Sequence, residues 1–162
     1  MTIVVDVQYA LDDSADTADF LPKPEQFKLW ISAALSGRRT EAELSVRIVG
    51  MAEGAMLNET YRHRNGPTNV LAFPVDESTG LELPLLGDLV ICAPVVEQEA
   101  REQFKSQTAH WAHLTVHGTL HLLGYDHHEE READVMEGLE AEILAKLGYA
   151  DPYVDEKETR TA

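Results

Sequence analysis

The run HGTLHLLGYDH, His117 to His127, constrains this chain more than any other stretch. Its first two histidines stand in otherwise apolar sequence, where Leu would be cheaper to bury and imidazoles need hydrogen-bond partners. Six of the seven histidines fall between His110 and His128. Residues Thr108 to Leu123 read as a helix, with Gly124 as its C-terminal stop. At about 3.6 residues per turn, His110, His113, His117 and His121 share one narrow stripe. His117 and His121, four apart, are neighbours on the helix surface and can aim at one point. After Gly124 the chain can turn back and bring His127 to the same point.

Three converging imidazoles are the ligand set of a zinc ion that keeps an open position. Neutral imidazole, the ligating form, is available near neutral pH at little cost. Cys92 is the sole cysteine, so neither a disulfide framework nor a Cys-based zinc site is expected. One zinc per chain with a water in the fourth position follows, and such a water is acidified towards neutrality. Nickel or copper would suit three imidazoles as well. A single histidine here would more often be a satisfied core or surface residue; the third ring, at the right spacing after a turn glycine, favours ligation. His110 and His113 read as supporting or packing residues. His128 reads as an exposed neighbour that could substitute for His127 on spacing alone. Asp126 reads as an orienting partner or a turn former.

Around this helix the periodicities alternate. Strands are expected over 2–9, 43–49, NVLAFPV and LLGDLVICA, and helices over Pro24–Ser36, Ala52–His63, Pro94–Lys105 and Glu129–Leu147. A polar acidic connection, LDDSADTADFLP, follows the first strand, and a loop spans Asp76–Pro84. The sum is one α+β domain over 1–150, a mixed sheet of about four strands packed with four to five helices. Residues 151–162 read as a loose tail. MTIVVDVQYALDD lacks a basic leader, and no run approaches the ~18 apolar residues of a membrane span. A cytoplasmic location with no membrane partner is expected.

The formal net charge of −16 repels polyanions, so any nucleic acid must be met by a local positive site. Charges are segregated: Arg38, Arg39, Arg47, Arg62 and Arg64 lie in the first half, whereas Asp126–Glu142 holds eight acids against Arg131.

The histidine offsets are those of the zinc-protease motif H-E-x-x-H-x-x-G-x-x-H, but the general-base Glu is replaced by Gly118. Without that carboxylate the peptide-cleaving route loses its proton acceptor. Glycine here is expected to leave space above the metal for a bulky substrate.

HGTLHLLGYDH also resembles, at every defined position, the signature H-G-x-L-H-L-x-G-Y-D-H of the YbeY family of bacterial endoribonucleases. LNETYRHRNGPTNVLAFP (57–74), LGDLVICAPVVEQEA (86–100) and LGYADPY (147–153) resemble its other blocks. Ala72 departs from the Ser often found in NVLAFP, and the first forty residues match only loosely. The resemblance implies that His117, His121 and His127 bind zinc and that Arg62 is functional. It implies metal-dependent cleavage of single-stranded RNA, maturation of the 3′ end of the small-subunit ribosomal RNA, and ribosome quality control. Implied partners are ribosomal RNA, the small ribosomal subunit and its assembly factors, with no DNA. A guanidinium is well shaped to hold phosphodiester oxygens, which agrees with a role for Arg62. Arg38, Arg39, Arg47 and Arg64 are expected at the surface, with RNA tracking as the alternative. Tyr61 and Phe73 are expected to pack in the core rather than stack on bases. The alternatives carried are a zinc metalloprotease and a ribosome assembly factor with a structural zinc.

Overall fold

Period-2 and period-3.6 segments alternate along the chain, and the elements follow that alternation. A computed structural model describes residues 2–11, 20–75, 84–126 and 128–153. The elements are β1 (Thr2–Ala10), α1 (Pro24–Leu35), β2 (Glu41–Val49), α2 (Met51–Arg62), β3 (Val70–Pro74), β4 (Leu85–Cys92), α3 (Ala93–Glu102), α4 (Gln107–Leu122) and α5 (Glu130–Lys146). The sheet is mixed, in the order β1-β2-β4-β3, with β1, β2 and β4 parallel and β3 antiparallel at an edge. Much of the acidic connection, most of the 76–84 loop, His127 and residues 154–162 lie outside the described residues.

The largest departure from expectation is α3, which stops at Glu102 rather than Lys105. Phe104 takes a left-handed φ of 54°, and the Lys105 N–H returns to the Ala100 carbonyl, closing the helix.

β2 alternates strictly, burying Ala42, Leu44, Val46 and Ile48 on one face while Glu41 and Glu43 face water. That inner face packs under α1 and α4 together with Leu89 and Ile91 of β4. Helix α4 is buried at ten of its sixteen positions, which makes it central rather than amphipathic. Its buried Thr115 and Thr119 hydroxyls donate to the carbonyls one turn back, at 2.8 and 2.7 Å. A smaller cluster of Val49, Leu71, Val90 and Cys92 on the other sheet face is covered by Leu57 and Val95.

The α1 and α4 helices run side by side in the same sense. Phe27, near the start of α1, meets Trp111 near the start of α4 edge-to-face at 5.9 Å. The turn that follows α1 lies beside Leu123 and Gly124, just past the end of α4.

Strand β4 carries a bulge where its pairing with β2 slips between Glu43 and Leu44. Gly87 sits there at φ 143°, and a Cβ on it would fall 2.2 Å from the Phe73 carbonyl oxygen. Gly87→Ala is therefore expected to cost at least about 3 kcal/mol, combining backbone strain with overpacking. Chemical denaturation checks this; an unchanged midpoint would contradict it.

Candidate metal centre

Helix α4 ends as the sequence predicts. Gly124 takes a positive φ of 103°, its N–H donates to the His121 carbonyl, and the Tyr125 N–H returns to the Leu120 carbonyl. Gly124 lies two residues past the last helical residue, and with Tyr125 and Asp126 it lines the same cleft as His121.

His117 and His121 meet as their spacing requires. Their Nε2 atoms lie 3.1 Å apart, with ring centroids at 4.5 Å and planes at 81°. Two nitrogens sharing one zinc at about 2.0–2.1 Å in tetrahedral geometry stand roughly 3.3 Å apart, so the pair fits a common ion. His127 lies outside the described residues. Among the described residues no group of three His, Cys, Asp or Glu side chains gathers tightly enough to hold a metal.

What orients His117 comes from α5. Glu140 is fully buried, and its Oε1 accepts from His117 Nδ1 at 2.6 Å. Burial alone would raise this carboxyl, but hydrogen bonds from His113 and His117, and their charge, bring it down from 4.5 to about 2. An ionised carboxylate only accepts, so Nδ1 of His117 carries the proton. In the neutral ring Nε2 then keeps its lone pair, turned towards His121. This is the carboxylate–histidine arrangement that fixes tautomer and ring orientation at metal sites. Tyr153 completes it, its hydroxyl donating to Glu140 Oε2 at 2.7 Å and lying 3.1 Å from His113 Nε2. Asp151 to Tyr153, read from sequence as the start of a loose tail, are thus held against the core.

The other two histidines of the helix are hydrogen-bonded to acids and do not line the cleft. His113 Nε2 lies 3.4 Å from Glu140 Oε1, and burial lowers the pKa of this imidazole against the opposing pull of Glu140. His110 is buried and its Nε2 donates to Glu99 Oε1 at 3.0 Å. Burial would raise the Glu99 carboxyl, yet hydrogen bonds from His110 and Asn69 leave it below its ordinary value. Outside the helix, His128 pairs with Asp126 at 3.0 Å and is 80% exposed.

Sequence reasoning missed Glu140, Glu99 and Tyr153. Glu140 left a signal: it interrupts the apolar stripe of α5 formed by Met136, Ile143 and Leu144. An acid on a core-facing stripe needs a buried partner. Tyr153 left only its place at the end of the LGYADPY block, which names no partner for it.

His117 and His121 open into a cleft of about 780 Å³, which Arg62 and Arg64 also line. Arg62 is the last residue of α2, exposed, and His63 then turns the chain with a left-handed φ of 56°. Edge strand β3 forms one wall, and Gly124, Tyr125 and Asp126 lie along the same cleft.

Two expectations are corrected here. Tyr61 is not a core residue: it is 61% exposed, touches Phe73 edge-to-face at 5.2 Å, and lines the cleft with it. It occupies the last turn of α2, where the chain leaves the sheet. Gly118 does not leave open space for substrate in the direction of its missing side chain. A Cβ there would meet Leu89 Cδ2 at 2.8 Å and Val70 Cγ2 at 3.2 Å, so this glycine lets α4 approach the sheet.

Of the remaining arginines, Arg47 is held in a forked pair by Glu53 at 2.6 and 3.0 Å and also reaches Gln8. Arg38 and Arg39 lie at the turn after α1.

Residues 13–148 match the family model described as Endoribonuclease YbeY. The fold is similar to the solution structure of a protein from Thermotoga maritima, with a TM-score of 0.56 and 22% identity over 89% of this chain and 91% of that one.

Proposed function

The chain belongs to the YbeY endoribonuclease family, and on that premise we propose that it is a zinc-dependent nuclease cutting single-stranded ribosomal RNA. The cytoplasmic small ribosomal subunit and its assembly factors are the setting, with 3′-end maturation of its RNA and ribosome quality control as the roles. The observation that carries this reading is the convergence, in one cleft, of the His117–His121 pair with Arg62.

His117 and His121, with His127, would hold the ion. When bound, it supplies positive charge at the scissile phosphate and acidifies water at its open position. Glu140 keeps the His117 lone pair aimed at the site. Arg62, at the end of α2, offers a forked donor set to the non-bridging phosphate oxygens, where negative charge grows during cleavage. The open cleft admits an unpaired strand. Glu140 contacts the Nδ1 side of His117, away from His121, and is itself buried, so it serves orientation rather than proton abstraction from water. Gly118 supplies no carboxylate at the position of the protease general base, and a side chain there would have to displace Leu89.

Arg62→Ala is expected to retain fold and zinc while cleavage of precursor ribosomal RNA falls about 10²- to 10³-fold, the usual loss for one charge-stabilising donor. Metal analysis and end mapping on treated ribosomes check it; normal turnover would remove Arg62 from the mechanism. The new ends identify the nucleophile. A 2′,3′-cyclic phosphate assigns attack to the RNA's own 2′-hydroxyl, whereas its absence throughout the time course assigns it to water.

A further inference from the structure

The ribonuclease reading accounts for Arg62 but leaves a second pair of guanidiniums unexplained. Arg38 and Arg39 follow Gly37, which turns the chain out of α1 with a φ of 79°. Their backbone N–H groups both return to the Leu35 carbonyl, at 2.8 and 2.9 Å, so the pair is fixed to the end of the helix. They line a groove of about 420 Å³ with Leu123, Gly124 and Tyr125. Gly124 and Tyr125 also line the cleft that holds His117 and His121. The two depressions therefore share a border. At Gly124 that border is bare backbone, since a Cβ built there meets nothing within 4 Å.

We propose that the Arg38–Arg39 groove is a distal phosphate subsite, taking the backbone of the same single-stranded RNA as it leaves the histidine cleft over Gly124 and Tyr125. The proposal rests on the ribonuclease reading and extends it from one scissile phosphate to a longer strand.

Three observations support the assignment. The chain carries a net charge of −16, so RNA is held only where cations are gathered, and this groove presents two adjacent ones beside the metal centre. The side-by-side packing of α1 and α4 brings Arg38 and Arg39 there from far away in sequence. Helix capping explains Arg38 only in part: its Nη1 donates to the Ala34 and Ser36 carbonyls at 3.4 and 3.2 Å, and a guanidinium has further donors on its other nitrogens. A strand too short to cross Gly124 gains nothing from the groove. A longer one gains phosphate contacts that weaken with salt.

The test compares unstructured oligoribonucleotides of about four and about twelve nucleotides, lengths that bracket single-strand site sizes. In the zinc-loaded protein, Arg38→Gln/Arg39→Gln is expected to lower kcat/KM for the longer strand about tenfold more than for the shorter, through KM. Binding, read on the cleavage-deficient His121→Ala background, should lose about 1.4 from its slope of log affinity against log salt, for two phosphates at about 0.7 each. Thermal midpoints confirm folding, and Arg39→Gln alone serves if the double variant is unstable. Equal losses at both lengths, or an unchanged salt slope in a folded variant, would overturn the subsite. If the native protein neither binds nor cuts either strand, the ribonuclease reading itself fails, and the subsite with it.

Discussion

His121→Ala is expected to release the bound metal and to reduce RNA cleavage by roughly a thousandfold or more, because several kcal/mol of charge stabilisation at the phosphate is lost. His121 Nε2 lies 3.1 Å from His117 Nε2, and these are the two α4 histidines that line the cleft, so removing either leaves one helix imidazole there. His117→Ala should behave likewise, with an added penalty because Glu140 loses the proton it accepts at 2.6 Å. Metal content per chain, single-turnover cleavage and circular dichroism separate the effects. Loss of metal with cleavage intact would favour an assembly factor with a structural zinc. Retention of metal by the His117, His121 and His127 alanine variants alike would end the metal-centre assignment.

The second large effect is expected at Glu140. Alanine there leaves His113, His117 and Tyr153 facing an apolar hole, and breaking such a buried charged network costs about 3–5 kcal/mol. Glu140→Gln keeps the volume but removes the ionised acceptor, and should weaken metal binding about 10- to 100-fold. The pH dependence follows from the direction of the shift. The carboxyl is held at about 2 in the fold against 4.5 ordinarily. Its contribution, roughly 3 kcal/mol at about 1.4 kcal/mol per pH unit, is therefore complete above 4.5 and lost as pH falls towards 2. His113 acts in the same direction, since burial lowers its pKa and acid must force a proton onto it. Denaturation of chelator-treated protein between pH 7 and pH 2 measures this. Glu140→Gln should flatten the acid limb, and an identical limb in both chains would refute the assignment.

The ribosomal reading also gives the cleft chemistry a consistent layout. On that reading Arg62 and the histidine pair would act at the scissile phosphate, and Tyr61 presents an exposed ring in the same cleft. An aromatic that sequence pattern placed in the core is thus exposed in the cleft.

Strand and helix periods, Pro24, Pro94 and Gly124 were legible in sequence because each is a local signal. They place the elements close to where they occur, as α4 at Gln107–Leu122 shows. The α3 end was misjudged because Phe104 occupies a left-handed position that usually belongs to glycine. The His117–His121 pair was legible because four residues on a helix make one surface, whatever surrounds it. Glu140 was half-legible, an acid on an apolar stripe whose partner lies 23 residues away. Gly118 was read as leaving space for substrate, and its packing on Leu89 was invisible from its neighbours.

The sequence by itself determined the α+β class, the histidine pair, the helix stop at Gly124 and the family. These depend on contacts within a turn or two of helix, or on motifs read in order. Only the tertiary structure decided that Glu140 orients His117, that Tyr153 closes that network, and that Arg62 lines the cleft into which the histidines open. The same holds for Arg38 and Arg39, which line a groove bordering the histidine cleft at Gly124 and Tyr125 because α1 and α4 pack side by side. Each of these juxtapositions joins elements distant in the chain, and no local periodicity encodes which buried faces meet.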